Sequence, residues 1–146
     1  MKPVSELLKR RNSAVWRIEP GATMFDALEA LASHEVGALM VMTHDKLVGV
    51  ISERDYTRKV ALQGKSSKGT LVREIIAPKI VTVTADDSVE DCMRLMTENR
   101  VRHLPVVEGI NVVGIVSIGD LVNWIISTQN AAIEQMEQYI AGGVAA

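Results

Sequence analysis

The sequence predicts an α+β protein made of two copies of one strand-helix-strand-strand-helix unit, packed on each other with pseudo-twofold symmetry. Sliding the chain against itself by 65 residues aligns 16–56 with 81–121 without a gap, and eight of these 41 positions are identical. Self-similarity at a fixed offset is the mark of a repeated supersecondary unit. The matches also fall at positions with structural meaning: Asp26/Asp91 in helix starts, Val41/Val106 in apolar runs, and Gly49/Gly114, Ser52/Ser117 and Asp55/Asp120 at the ends of hairpins. Finally, a unit of about 60 residues cannot bury its own apolar sheet face and helix stripes, so the copies must cover each other.

Each copy opens on a short alternating strand, Trp16 to Ile18 or Val81 to Val83. Thr23 and Ser88 then stand three residues before Asp26 and Asp91, which resembles a capping box, in which hydroxyl and carboxylate satisfy backbone amides that have no helical partner. Met24, Ala27, Leu28 and Leu31 follow at i, i+3, i+4 and i+7, and Val89, Cys92, Met93 and Met96 repeat the pattern, so each box opens a helix with one apolar face. Two apolar runs around a polar turn come next in each copy and read as hairpins: Ala38–Met42 with Leu47–Ile51, and Leu104–Val107 with Val112–Val116. A second helix is expected from about Glu53 to Gln63, and another from about Ile118 into the carboxy-terminal segment. Leaders of at least one helical turn precede the copies at Val4–Leu8 and Val72–Ile76. The stretch Gly64 to Gly69 has linker composition. The expected division is therefore 1–64, 65–127 and a helical tail over 128–146. From Leu121 to Ile140, Trp124, Ile125, Ile133, Met136 and Ile140 stand among Gln and Glu as on an amphipathic helix.

Composition narrows the function classes. The net charge is -2 and aromatic residues are only 3% of the chain, which excludes the basic, stacking surface of a typical nucleic-acid binder. No stretch approaches about 20 uninterrupted apolar residues, and the amino terminus lacks a signal-peptide core, so neither a membrane nor export is expected. Cys92 is the only cysteine; no internal disulfide can form, and a cytoplasmic location is expected. His34, His44 and His103 have no spacing suited to a metal site, so none is expected. No set of nucleophile, base and orienting group is evident, so catalysis is not expected.

The G-x-x-S-x-x-D element that closes each hairpin (Gly49-Ser52-Asp55 and Gly114-Ser117-Asp120), with the strand Arg102-His103-Leu104-Pro105-Val106-Val107, resembles the CBS-domain pair, or Bateman module. The resemblance covers about Val4 to Ile126. It implies a regulatory module that binds adenosine-type ligands in clefts between the copies, with Asp55 and Asp120 on the ribose hydroxyls and Ser52 and Ser117 on the phosphate side. Arg54, Arg100, Arg102 and His103 are the further phosphate or adenine-edge donors, and the second copy is expected to hold the last three beside its own cleft. The implied adenine slot comprises Val15, Trp16, Gly37, Ala38, Ile76, Ile80, Thr82 and Pro105. AMP, ADP or ATP is the expected ligand; NAD and S-adenosylmethionine share the adenosine part and stay open. There is no catalytic cofactor among these expectations. The expected partners are a second copy in a homodimer and an unidentified effector protein.

Ser-x-x-Asp also has a plain structural reading, since the same spacing caps any helix. A scaffold with empty clefts, serving dimerisation or protein docking, is the alternative function.

Overall fold

A computed structural model describes residues 3–10, 15–77 and 79–145. The elements run in the expected order: α1 (Val4–Arg10), β1 (Arg17–Ile18), α2 (Met24–His34), β2 (Ala38–Thr43), β3 (Lys46–Ser52), α3 (Glu53–Tyr56), α4 (Val89–Asn99), β4 (His103–Glu108), β5 (Asn111–Ser117) and α5 (Ile118–Ala145). A π-helical segment, Thr57–Ala61, extends α3, and a 3-10 turn occupies Val72–Glu74.

Both capping boxes form. The Asp26 amide donates to Thr23 Oγ1 at 3.1 Å and the Asp91 amide to Ser88 Oγ at 3.0 Å, while each carboxylate accepts from its cap residue's amide. These bonds, together with Arg94, hold the Asp91 carboxyl below its ordinary range; the Ser88 backbone bond contributes most. Burial pushes the Cys92 thiol up to about 11, with Asp87 and Asp91 adding to the effect, in keeping with a packing role.

β2 and β3 pair antiparallel, as do β4 and β5, each hairpin carrying one irregularity at the matched sites Val41/Met42 and Val106/Val107. The two sheets differ at their third strand. β1 pairs parallel with β2 through Arg17 and Ile18, whereas the expected strand Val81–Val83 is reduced to one parallel bridge from Val83 to Val106. Val83 still donates to the Pro105 carbonyl at 3.0 Å, so the topology is kept with less regular pairing.

The leaders are exchanged between the halves. Val4 and Leu7 are buried in the core formed by α4, β4, β5 and α5, while Val72 and Ile75 are buried in the core formed by α2, β2, β3 and Val60. The backbone repeats this exchange: the Val4 amide donates to the Asp87 carbonyl and the Val72 amide to the Ala22 carbonyl, both at 2.8 Å. Neither half is complete without a segment attached to the other. That explains why the two pack as one body.

Two glycines make the exchange possible. A Cβ at Gly49 would stand 3.1 Å from Ile76 Cβ, and one at Gly114 would stand 2.8 Å from a Leu8 methyl. Ile76 is β-branched and close to its own backbone at the contact, so it cannot swing aside. Gly49→Val is therefore expected to destabilise the fold by roughly 1–3 kcal/mol, the usual cost of overpacking, measured as a lower urea midpoint at unchanged slope.

Candidate functional site

The packing of the halves leaves two clefts related by the 65-residue offset, and they are far from equal. The larger, about 480 Å³, is lined from the first copy by Gly37, Gly49, Ser52, Arg54, Asp55, Arg58 and Lys59, and from the second by Ile80, Val81 and the run Asn99–His103. The smaller, about 130 Å³, is lined by Val15, Trp16, Glu35–Ala38 and Met40 with His103, Ile115 and Ser117. Drug-sized ligands occupy pockets of about 300–1,000 Å³, so only the larger cleft has room for a nucleotide.

The asymmetry traces to three substitutions between matched positions. Trp16 stands where the larger cleft has Val81, Glu35 where it has Arg100, and Gly37 where it has Arg102. The Trp16 indole stacks on the His34 imidazole, with ring centres 3.5 Å apart and planes 7° from parallel, and lines the smaller cleft where the larger one has the less bulky Val81. His34, the last residue of α2, is thus held by a ring contact. Gly37 and His103 line both clefts, and the His103 ring lies so close that a Cβ on Gly37 would be 3.2 Å from Nε2.

At the mouth of the larger cleft the end of β3 runs into α3. The Asp55 carboxylate accepts from the Ser52 amide at 2.9 Å and from Ser52 Oγ at 2.8 Å through one oxygen, and Lys59 Nζ is 3.6 Å from the other. Lys59 also donates to the Ile75 carbonyl at 3.0 Å, tying the leader before the second copy to this cleft. The π-helical segment over 57–61 widens the turn that carries Arg58 and Lys59 to the cleft, a distortion frequent at functional sites. Arg100 enters from the other half with a left-handed backbone, φ 55°, as the C-cap of α4. The matched Glu35 ends α2 in the same way, φ 52°, so this turn is a helix C-cap shared by both copies.

The cleft is strongly electropositive although the chain is acidic overall. Arg54, Arg58, Lys59, Lys79, Arg100 and Arg102 face two carboxylates, Glu53 and Asp55. Desolvation lowers the affinity of the Arg54 guanidinium for its proton, the charges of Arg58 and Arg102 lower it further, and Asp55 opposes them. Cations from both copies are thus close enough to repel one another, an arrangement that an anion would relieve.

The sequence-derived site residues separate accordingly. Ser52, Arg54, Asp55, Gly37, Ile80, Arg100, Arg102 and His103 come together in the larger cleft; Val15, Trp16, Gly37, Ala38, His103 and Ser117 meet in the smaller. The donors of the second copy therefore join Asp55 of the first, not Asp120 of their own, because the clefts lie between the copies. Asp120 lines neither cleft; it caps α5, accepting from the Ser117 amide at 2.8 Å. Ile76 packs behind Gly49, Pro105 is buried in β4, and Thr82 is exposed, and these three also line neither. Sequence reasoning missed Arg58, Lys59 and Lys79. The signal available was spacing: Arg58 and Lys59 each follow Arg54 and Asp55 by four residues, one helical turn.

Among the described residues no cluster of His, Cys, Asp or Glu is placed to hold a metal ion, and no helix is long and apolar enough to cross a membrane.

Comparison with known proteins agrees with this architecture. The CBS domain family profile matches residues 4–62 and 72–127. The chain is 41% identical over 126 residues to the CBS domain-containing protein CBSX3, mitochondrial, of Arabidopsis thaliana, covering 83% of this chain and 61% of that protein. It is 30% identical over 139 residues to the CBS domain-containing protein YhcV of Bacillus subtilis, covering 95% and 91%. Among solved structures, a CBS-domain protein from Burkholderia ambifaria, ascribed to signal transduction, superposes with a TM-score of 0.83 at 40% identity, covering 88% of this chain and 96% of that one.

Proposed function

The chain belongs to the CBS-domain family, with two copies of the domain, and on that premise we propose that it is a regulatory module binding an adenosine nucleotide in its larger cleft, with no catalysis of its own. The observation that carries the reading is a cleft of about 480 Å³ in which the first copy contributes the Asp55 and Glu53 carboxylates and both copies contribute cations. A carboxylate suits a ribose diol because charge-assisted hydrogen bonds are the stronger kind. Capping does not compete with this role: a carboxylate has about four lone-pair sites, and the two bonds to Ser52 use one oxygen.

The surplus of cations points to the phosphate end and favours ADP and ATP over AMP. NAD, with its pyrophosphate, is compatible. S-adenosylmethionine places a sulfonium and an ammonium beside like charges and is disfavoured. Because the cleft belongs to both copies, a bound nucleotide favours their closed arrangement by its differential affinity, and that arrangement is what an effector protein reads. A reducing compartment such as the cytoplasm fits the lone, buried thiol.

Thermal unfolding in the presence of AMP, ADP, ATP, NAD and S-adenosylmethionine tests the reading. A ligand at 100 times its Kd stabilises the native state by about 2.7 kcal/mol, so ATP or ADP is expected to raise Tm by several degrees. No shift with any of the five at millimolar concentration contradicts the reading and favours the scaffold. Stoichiometry gives a second check. The smaller cleft is only about 130 Å³ and is lined by the Trp16 indole, so calorimetry is expected to find one nucleotide per chain, and Trp16→Ala is expected to admit a second, weaker one. Two sites in the unaltered protein would show that the indole is no plug.

A further inference from the structure

Lys59 stands at the position matched by Trp124 in the second copy, a cation in place of a core residue. The backbone shows why. α5 runs on as one continuous helix, and its Leu121 and Trp124, three residues apart, are buried in the second core. The matched residues of the first copy are Tyr56 and Lys59. There the chain changes to π-helical turns over Thr57–Ala61, and the Leu62 amide donates to the Thr57 carbonyl, five residues back, at 3.0 Å. The wider turn moves the core position on by one: Val60 is fully buried, and Lys59 is turned out to the larger cleft.

Turned out in this way, Lys59 joins two parts of the molecule. Its Nζ donates to the Ile75 carbonyl at 3.0 Å and lies 3.6 Å from the Asp55 oxygen that Ser52 does not take. Ile75 belongs to the exchanged leader and is buried with Val72 in the first core. Its neighbour Ile76 abuts Gly49, and Ala77, Ile80 and Val81 beyond it form a wall of the larger cleft. We propose that Lys59 is a positioning residue that latches this leader to the cleft, so that a polyphosphate bound in the cleft tightens the leader; the inference rests on the nucleotide reading above.

The direction of the effect follows from the charges. Without a bound anion, the Lys59 ammonium shares the cleft with Arg54, Arg58, Arg100 and Arg102, and their like charges oppose its place beside Ile75. A polyphosphate among these cations removes the repulsion. An ammonium has three donors, so Lys59 can then hold the Ile75 carbonyl and the Asp55 carboxylate together. The coupling is reciprocal: if the ligand orders the leader, an ordered leader raises the affinity for the ligand by the same factor. The leader carries Val72 and Ile75 into the first core and leads the chain on to the second copy, so occupancy of the cleft is passed to the junction of the two halves.

Amide hydrogen exchange of the full chain with and without saturating ATP tests the latch. In the parent, ATP is expected to slow exchange at Asn99–His103, which line the opposite wall, and also, at least about fivefold, at the Ile75 and Ile76 amides, both of which donate to the Val72 carbonyl. Lys59→Met keeps the length of the side chain and removes its charge, at a position 43% exposed, so the fold is expected to tolerate it. In that variant saturating ATP is expected still to slow Asn99–His103, while the added protection at Ile75 and Ile76 disappears and the affinity for ATP falls by about the same fivefold. A merely structural role would change exchange equally with and without ATP and leave the difference between them intact. Equal ATP-dependent protection of Ile75 and Ile76 in parent and variant therefore overturns the latch. Absence of ATP-dependent protection at Asn99–His103 in the parent overturns the nucleotide reading itself, and the latch with it.

Discussion

Asp55→Ala is expected to weaken ATP binding about 10- to 150-fold, with Asp120→Ala close to the unaltered protein. Charge-assisted hydrogen bonds are worth roughly 1.5–3 kcal/mol each, which gives that range. The pair forms an internal control because both aspartates make the same cap: each accepts from the amide of a serine three residues earlier, at 2.9 Å and 2.8 Å. Either substitution is therefore expected to lower stability by about 0.5–2 kcal/mol, the usual cost of a lost cap. Only Asp55 lines the larger cleft, so only Asp55→Ala should cost affinity as well. Calorimetry and urea unfolding on the same samples separate the two effects. Equal affinity in both variants would reduce Asp55 to a cap.

Removing the facing cations should give a second large effect, this time on the phosphate end. Arg54 and Arg102 come from opposite copies and repel each other across the cleft. The Arg54→Ala, Arg102→Ala double variant is expected to lose at least about 100-fold in ATP affinity, since two charge-assisted bonds go, and only a few-fold for adenosine. Relief of the repulsion should leave the ligand-free protein at least as thermostable as the parent. Opposite movements of affinity and stability mark a cluster held for its ligand. Equal losses for ATP and adenosine would mean that these arginines do not meet phosphate.

Much of the fold could be read from the chain because its signals are local. The boxes at Thr23/Asp26 and Ser88/Asp91, the helix stripes and the hairpin runs each depend on a few neighbouring residues, and they form as expected except at Met93, which is exposed and not on the buried face of α4. What could not be read depends on how the halves meet. Nothing in the spacing of Val4–Leu8 or Val72–Ile76 says that each leader completes the opposite core. That exchange brings Arg100 and Arg102 to Asp55 when their position in the chain suggests Asp120. The inequality of the clefts was half legible. The replacement of Arg102 by Gly37 was visible in the alignment of the copies, but that Trp16 would stack on His34 at the smaller cleft needed their positions in space. Val81–Val83 fell short of a strand because only Val83 pairs with β4, and alternation of side chains does not report how many residues find a partner.

The most direct measurement is a crystal structure of the protein grown with ATP. Electron density for the nucleotide is expected between the halves, with the ribose hydroxyls within hydrogen-bond distance of the Asp55 carboxylate and the phosphates among Arg54, Arg58 and Arg102. A saturated crystal with that cleft vacant, or with the nucleotide bound elsewhere, would contradict the account.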